Sequence, residues 1–322
     1  MTNKVTRRTV YEKNNREISV MLRRSLSTKS FVKQIETLYK ARNPNYQEIV
    51  DKLKCKSIVV RSFETEVQKA LPNDHMALRT LSMPSHGLGL NYLDRFFQQM
   101  MYLPRDEYVF AEKKLRARWY APSTYLGRTD SGAPLPRIFV SELCVDQLSQ
   151  SSQTIFQRYL SRQSAISRYF AEQDTEDKEK TFVDAVDAID EKLYDQVPSF
   201  SDYELLRKET EYGAWTLLNG HRINHLTIST SLFRHPFQKL CFFVPHARQY
   251  LNVPIVGNIQ TSEDQKLHQI STEPIKGEFL FSDQQTTKAV NGSFIEFIER
   301  IDGRDGFEAK NANRIFETTN RV

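Results

Sequence analysis

The chain has 322 residues, of which 39% are hydrophobic and 26% are charged, and its formal net charge at pH 7 is +5. This balance is typical of a soluble globular protein with one large domain or two modest ones, and it argues against disorder over most of the chain. Only 11 residues are glycine, and neither GxGxxG nor GxxxxGK[ST] occurs, which disfavours a nucleotide site built on a glycine-rich loop.

Membrane spanning and export are disfavoured because the sequence has no run of eighteen apolar residues and no apolar signal core at its N-terminus. The three cysteines, Cys55, Cys144 and Cys241, are far apart and odd in number. This excludes a disulfide framework and a CxxC zinc site, and we therefore expect a reducing, cytoplasmic location.

Positive charge is concentrated at the start of the chain, where residues 1–70 hold 16 Lys and Arg against 7 Asp and Glu. The apolar spacing between Ser30 and Leu53 predicts helices there, with a break at Pro44. A solvated helical face explains the charge most simply. A transit peptide and a nucleic-acid arm stay open as alternatives, and the second would make the protein a non-enzymatic module that binds an acidic partner.

From residue 71 onward, short strands and helices are predicted. Leu90–Met101 has the spacing of an amphipathic helix, a helical insert extends from about 151 to 212, and Asn311–Thr319 predicts a closing helix. Segments with period-two alternation or many aromatic and β-branched residues predict strands: Asp74–Leu81, Tyr108–Tyr120, Arg137–Leu148, His221–Ser229, Leu240–Val244, Lys266–Thr272, Gly277–Phe281 and Ser293–Ile301.

Two blocks of strands separated by helices, without a regular βαβ rhythm, predict an α+β fold with a mainly antiparallel sheet. We divide the chain into a basic helical N-terminal region, residues 1–70, and a single further domain, residues 71–322, that contains the helical insert.

Three segments place residues of metal-ligand type on predicted strands, although none of the seven histidines belongs to an HExxH or HxH pattern. His75 is followed four residues later by Arg79 on the same strand face, and His225 lies on a second strand. Glu296 lies between large apolar residues and must be paired, protonated or metal-bound in an interior. Two imidazoles and one carboxylate form the facial triad that holds non-haem Fe(II) with open coordination positions.

The C-terminal part of the chain carries a family resemblance. Ser293–Arg300, SFIEFIER, together with Gln269–Pro274, QISTEP, resembles the last strands of 4-hydroxyphenylpyruvate dioxygenase, a vicinal-oxygen-chelate enzyme. In that family the first glutamate of the Phe-x-Glu-x-Ile segment ligates iron, and it corresponds to Glu296. The chain as a whole is more similar to the 2-oxoadipate dioxygenase/decarboxylase family (hydroxyglutarate synthases), through His75–Arg79, Pro136–Leu143, Gly213–Gly220 and Asn224–Thr227.

This resemblance implies a fold, a site and a reaction. The fold is a half-open β-barrel of paired βαβββ modules around one metal, with added N-terminal and central helices. The implied ligands of Fe(2+) are His75, His225 and Glu296, and Arg79 is the implied contact for the far carboxylate of the substrate, a role that suits a planar guanidinium. The implied reaction converts a 2-oxo acid and O₂, most simply 2-oxoadipate, to 2-hydroxyglutarate and CO₂. An aromatic 2-oxo acid dioxygenase and a metal-dependent lyase or isomerase of the same fold are the alternatives.

For several other residues the sequence leaves more than one interpretation open. His221 shares the predicted strand face of His225 and is a rival second ligand. Gln269 either touches the substrate or bonds to its neighbours within the sheet. Four further residues are given structural or supporting roles: Ser141, Glu142, and the predicted ion pair of Glu299 with Arg300.

Overall fold

The computed structural model of the chain describes residues 28–56, 58–59, 73–127, 134–161, 164, 166–169 and 182–309. Residues 1–27 and the predicted closing helix Asn311–Thr319 lie outside this described part. Within it, every helix is too short or too polar to cross a membrane.

Helices occur at the start of the described chain and between the strands. Residues 28–42 form helix α1, and Pro44 begins the next helix, which confirms the predicted break. The helices that follow residue 42 are α2 (Pro44–Cys55), α3 (Leu90–Gln99), α4 (Gln150–Tyr159), α5 (166–169), α6 (Phe182–Asp190), α7 (Phe200–Glu209), α8 (Glu211–Asn219) and α9 (Leu240–Tyr250).

Ten described strands form two sheets. Eight of them make one large sheet in the order β2-β3-β4-β1-β5-β10-β7-β6, and β8 and β9 make a separate two-stranded sheet. Their bounds are β1 (Asn73–Leu81), β2 (Tyr102–Phe110), β3 (Leu115–Pro122), β4 (Arg137–Leu143), β5 (Ile223–Ser229), β6 (Ile255–Thr261), β7 (Leu267–Thr272), β8 (Lys276–Phe279), β9 (Lys288–Asn291) and β10 (Phe294–Arg300).

The large sheet is built from two copies of one βαβββ module. In the first copy β1 is followed by α3, β2, β3 and β4, and β1 pairs in parallel with β4. The second copy repeats this order with β5, α9, β6, β7 and β10, and β5 pairs in parallel with β10. All other pairs are antiparallel, including β1 with β5, which joins the modules. Since β2 and β6 remain edges, the sheet is not closed, and the predicted α+β, half-open architecture is confirmed.

The two faces of the sheet differ in chemistry. Met76, Ile138, Leu226 and Ile295 alternate onto one face, where they join the core formed with helices α1, α2, α3 and α9. Strand residues next to them in sequence point the opposite way. On that opposite side the first module packs on a second apolar core with helices α4, α7 and α8, and the polar side chains lie where the two modules meet.

Two equivalent glutamates fix the helix of each module. Glu142 on β4 accepts a hydrogen bond from the backbone N–H of Leu90 at 2.9 Å, and Glu299 on β10 accepts one from Leu240 at 2.8 Å. A carboxylate there satisfies an N–H that has no partner inside the helix and complements the helix dipole. Glu142 is therefore structural. The predicted pairing of Glu299 with Arg300 is wrong, because adjacent strand residues face opposite sides of the sheet.

Other boundaries also differ from the sequence predictions. Leu240–Val244 was expected as a strand but begins helix α9, since Leu240, Phe243 and Val244 are buried at helical spacing. A short apolar run does not by itself separate helix from strand. The predicted strand Tyr108–Tyr120 is split between β2 and β3 by a turn at Ala111–Lys113.

Candidate active site

The three predicted ligand residues meet where the two modules join. His75 lies on β1, His225 on β5 and Glu296 on β10, and one ligand atom from each lies within 4.8 Å of the other two. Oε2 of Glu296 is 3.1 Å from Nε2 of His225 and 3.5 Å from Nε2 of His75. All three side chains are buried. Because they come from strands far apart in the sequence, the cluster exists only in the folded chain.

In the first module, the position equivalent to Glu296 holds a side chain that cannot bind a metal. β4 pairs with β1 in the register in which β10 pairs with β5, so Phe139 corresponds to Glu296. An apolar residue there leaves two imidazoles and one carboxylate as the donor set. This set fits a transition metal such as Fe(II) with open positions for other molecules.

Glu296 is held in its charged form despite its burial. Burial by itself raises the pKa of the carboxyl group, but hydrogen bonds from His225 and His75 outweigh it and lower the pKa to about 2. Thr227 donates to Oε2 at 3.3 Å and Gln269 donates to Oε1 at 2.5 Å. Both oxygens therefore have fixed donors, and the carboxylate is in the state that binds a metal.

A buried carboxylate orients His75. Oδ1 of Asp74 lies 3.0 Å from Nδ1 of His75, so Nε2 faces the cluster, where it is 3.0 Å from Oγ1 of Thr227. Arg300 binds both oxygens of Asp74, at 2.8 and 2.9 Å. Burial would raise the pKa of Asp74, but Arg300 and His75 hold it well below its usual range. Arg300 thus acts on the site through Asp74.

This support was not predicted from the sequence, although a signal for it was present. Each candidate ligand histidine directly follows an Asp or Asn, as Asp74–His75 and Asn224–His225. Oδ1 of Asn224 lies 3.4 Å from Nδ1 of His225, so the same arrangement recurs in the second module. The two histidines differ in charge preference: burial lowers the pKa of His225, whereas Asp74 and Glu296 overcome the effect of burial on His75 and raise its pKa.

We expect Asp74→Asn to weaken metal binding by about 10- to 100-fold, because an amide orients the imidazole less strongly and leaves Arg300 without its counter-charge. Calorimetric titration of the metal-free protein with Co(II) measures this directly. The control is Asp305→Asn, which removes an exposed carboxylate that pairs with Arg137 near the same cluster. Equal Co(II) affinities in the two variants would contradict the role of Asp74.

Arg79 faces the same pocket as the three candidate ligand residues. The residue is only 3% exposed, and its guanidinium lies between the rings of Tyr212 and Trp215, 4.6 and 4.8 Å from their centres. Within the described part of the chain, its Nε and Nη1 atoms have no hydrogen-bond partner. A buried guanidinium with unused donors is suited to a carboxylate ligand.

The remaining predicted residues divide between the pocket and the scaffold. Gln269 and Ser141 line the pocket. Gln269 makes the predicted bond to a neighbouring strand by donating to Glu296, and Ser141 hydrogen-bonds the hydroxyl of Tyr212 at 3.0 Å. His221 precedes β5 instead of lying on it, and its Nε2 is 3.0 Å from Oγ1 of Thr80. Burial lowers the pKa of His221 to about 4, and the structure does not bring it to the cluster.

Apolar side chains form much of the remaining wall, with Ala77, Phe139 and Phe307 among them, and Asn224 and Glu308 also line the pocket. The Phe307 ring packs edge-on against His75 with centroids 4.8 Å apart, and it also contacts Phe139 at 4.9 Å. The pocket therefore has ligand atoms and a cation on a background that keeps water away.

Most of the chain is similar in sequence to proteins of one family. A sequence model of the 2-oxoadipate dioxygenase/decarboxylase family matches residues 31–303. The chain belongs to this family. A relative from Oryza sativa subsp. japonica, a chloroplastic/amyloplastic 2-oxoadipate dioxygenase/decarboxylase, is 35% identical in an alignment of 312 residues that covers 90% of this chain and 78% of the relative. The chloroplastic enzyme of Arabidopsis thaliana is 34% identical over 90% of this chain and 77% of its own length.

Solved structures agree with the family assignment. The crystal structure of the hydroxyglutarate synthase from Oryza sativa in complex with 2-oxoadipate has a TM-score of 0.74 and 32% identity, and the match covers 92% of this chain and 93% of that one. A putative glyoxalase superfamily protein from Ralstonia eutropha JMP134 has a TM-score of 0.67 at 21% identity, over 89% of this chain and 87% of its own. This second likeness shows the shared fold.

Proposed function

We propose that the protein is an Fe(II)-dependent dioxygenase that decarboxylates 2-oxoadipate to 2-hydroxyglutarate and CO₂. Its family membership supports the reaction class. The observation that supports the choice of substrate is that one pocket contains both a three-residue cluster able to hold a metal and a buried guanidinium whose Nε and Nη1 have no hydrogen-bond partner among the described residues. His75 and Arg79 lie four residues apart on β1, and both line the pocket. An acid that meets the metal site with its 2-oxo end can therefore present its second carboxylate to Arg79.

The residues of the pocket have separate roles in this reaction. Fe(II) held by His75, His225 and Glu296 would supply Lewis acidity and redox chemistry with O₂. Arg79 fixes the far carboxylate, so that the 2-oxo end of the acid is presented to the metal site in one orientation. Phe307 shields the site from water, which strengthens every charge interaction inside it.

Arg79 also favours a dicarboxylic over an aromatic 2-oxo acid. An aromatic substrate would bring an apolar ring against a buried guanidinium whose Nε and Nη1 have no hydrogen-bond partner among the described residues. A buried charge left without hydrogen bonds is costly, whereas a carboxylate satisfies it with paired bonds. We therefore propose a second carboxylate as the feature that the pocket recognises.

A panel of 2-oxo acids tests the proposal. The protein is purified without O₂, loaded with Fe(II), and supplied with O₂ together with 2-oxoadipate, 2-oxoglutarate or an aromatic 2-oxo acid. We expect 2-oxoadipate to be turned over fastest, with one O₂ consumed and one CO₂ released per 2-hydroxyglutarate formed. Absence of O₂-dependent CO₂ release from every acid would contradict the proposal, and turnover without O₂ would favour a lyase or isomerase.

For the cellular location we propose a reducing compartment, the cytoplasm in the simplest case. All three cysteines lie in the described part and are unpaired, with Cys55 and Cys241 exposed. The two plant relatives are named as chloroplast proteins, so cell fractionation with an antibody against the full chain decides between cytoplasm and organelle.

A further inference from the structure

Arg79 lies between two cavities. One is the pocket of the metal cluster, and the other is a polar cavity whose wall includes Glu112, Lys113 and Glu211. Oε2 of Glu211 is 3.7 Å from Nη1 of Arg79. This distance is too long for a hydrogen bond but short enough for strong attraction between two largely buried charges. Among the described residues, Oε2 of Glu211 has no hydrogen-bond partner.

Helix α8 carries three of the side chains that lie beside the guanidinium. Glu211, Tyr212 and Trp215 belong to its first turn and a half. Thr210 caps the helix by accepting a hydrogen bond from the N–H of Gly213 at 3.1 Å. The dipole at the start of a helix favours a negative charge, so the helix holds the carboxylate of Glu211 beside Arg79.

The aromatic rings fix the guanidinium while the carboxylate stays loosely engaged. The hydroxyl of Tyr212 donates to the backbone oxygen of Ser141 at 2.6 Å and accepts from the N–H of Thr80 at 3.2 Å. The ring over Arg79 is thereby locked to β1 and β4. Glu211 has no comparable bond at Oε2, so its contribution to Arg79 is charge rather than geometry.

We propose that Glu211 competes with the far carboxylate of the substrate for Arg79 and so sets the affinity of the pocket for dicarboxylic acids. The inference rests on the proposed function in one respect, which is that the ligand is a 2-oxo dicarboxylic acid. In the substrate-free protein, Glu211 neutralises a guanidinium that would otherwise be buried with no counter-charge. When the acid binds, the two carboxylates share one cation, and the attraction for the acid is weaker than a lone arginine would give.

This arrangement limits how tightly the product is held. Both 2-oxoadipate and 2-hydroxyglutarate carry a far carboxylate, so a lone Arg79 would retain the product as well as the substrate. Interactions that bind substrate and product equally do not speed the chemical step. Glu211 weakens this shared interaction while leaving the rings of Tyr212 and Trp215 in place around Arg79.

Binding without O₂ tests the inference, because no turnover takes place. The iron-loaded protein is titrated calorimetrically with 2-oxoadipate and with 2-oxohexanoate, which has the same length and no second carboxylate. We expect Glu211→Gln to bind 2-oxoadipate about tenfold more tightly than the wild type and to bind 2-oxohexanoate within about twofold of it. With O₂ present, the same variant is expected to show a lower KM for 2-oxoadipate without a higher kcat.

Two further variants provide a control and an independent test. Glu112→Gln removes a carboxylate from the wall of the same polar cavity, where Glu112 is exposed, and is expected to leave both affinities unchanged. Glu211→Asp keeps the charge but withdraws it by one methylene, and a smaller gain for 2-oxoadipate in the same direction is expected. It tests the same competition independently, should Glu211→Gln fold poorly.

The role of Glu211 is overturned if Glu211→Gln binds 2-oxoadipate no more tightly than the wild type, or if both acids shift by the same factor. A gain confined to 2-oxoadipate supports it. Absence of turnover in a protein that binds 2-oxoadipate would contradict the proposed reaction and leave the binding result standing, so the two failures are distinguishable.

Discussion

Glu296→Ala is expected to lower the Fe(II) affinity of the protein by about 100-fold or more. The change removes the single negative charge of the three-residue cluster and leaves two histidines, and each ligand of a metal site contributes on the order of 3 kcal/mol. Iron content after anaerobic reconstitution and dialysis measures the loss. Circular dichroism and thermal melting of the same samples show whether the fold is retained.

Glu299 provides the matched control, because it lies three residues further along the same strand and points to the other side of the sheet. Glu299→Gln is expected to retain iron while losing about 1 kcal/mol of stability through the weakened start of helix α9. His225→Ala should behave like Glu296→Ala, whereas His221→Ala should keep its iron. Unchanged iron content in Glu296→Ala would remove that residue from the ligand set.

Arg79→Ala is expected to keep its iron and to lose affinity for 2-oxoadipate. Truncating one partner of a buried charge pair costs about 2 to 5 kcal/mol, or roughly 30- to 4000-fold in affinity. The guanidinium lies beyond the ligand cluster along β1, and its loss does not remove a metal ligand. Anaerobic calorimetry with the iron-loaded variant separates the two effects, since iron and acid are measured independently.

Arg79→Lys is the control for this prediction. Lysine keeps the charge but not the planar fork that stacks between Tyr212 and Trp215, so an intermediate affinity is expected. Affinity for 2-oxohexanoate should change little in either variant. A loss of iron in Arg79→Ala would instead assign Arg79 a structural role in the cluster.

The sequence predicted the strands that carry the site because their patterns are local. Alternation in Ile223–Ser229 and Phe294–Arg300 arises because these strands face an apolar core on one side and the polar site on the other, both of them buried. The structure retains both strands with boundaries within a few residues of those predicted. Helix α9 was missed because the apolar run at Leu240 has the length of a strand, and only its packing on β10 distinguishes the two.

The chemical partners of the ligands were not predictable in this way. Asp74 and Arg300 are 226 residues apart, and sequence spacing provides no information about a contact of that range. Arg300 was assigned to its neighbour Glu299, whereas the pleat of the strand sends the two side chains in opposite directions. The contacts of Arg79 with Tyr212 and Trp215 depend on where helix α8 packs, and this position is set by the assembled core.

By itself, therefore, the sequence determined the α+β class, the identity of His75, His225, Glu296 and Arg79 as candidates, and the family resemblance. The fold class and the candidate residues follow from residue types and periodicities within short segments, and the roles of those candidates are what the resemblance of their motifs to the family implies. Only the tertiary structure decided that the three ligand atoms converge, that His221 lies elsewhere, and that Glu211 stands beside Arg79. Such facts depend on strand order and register between modules, which are set by packing over the whole chain rather than by any local segment.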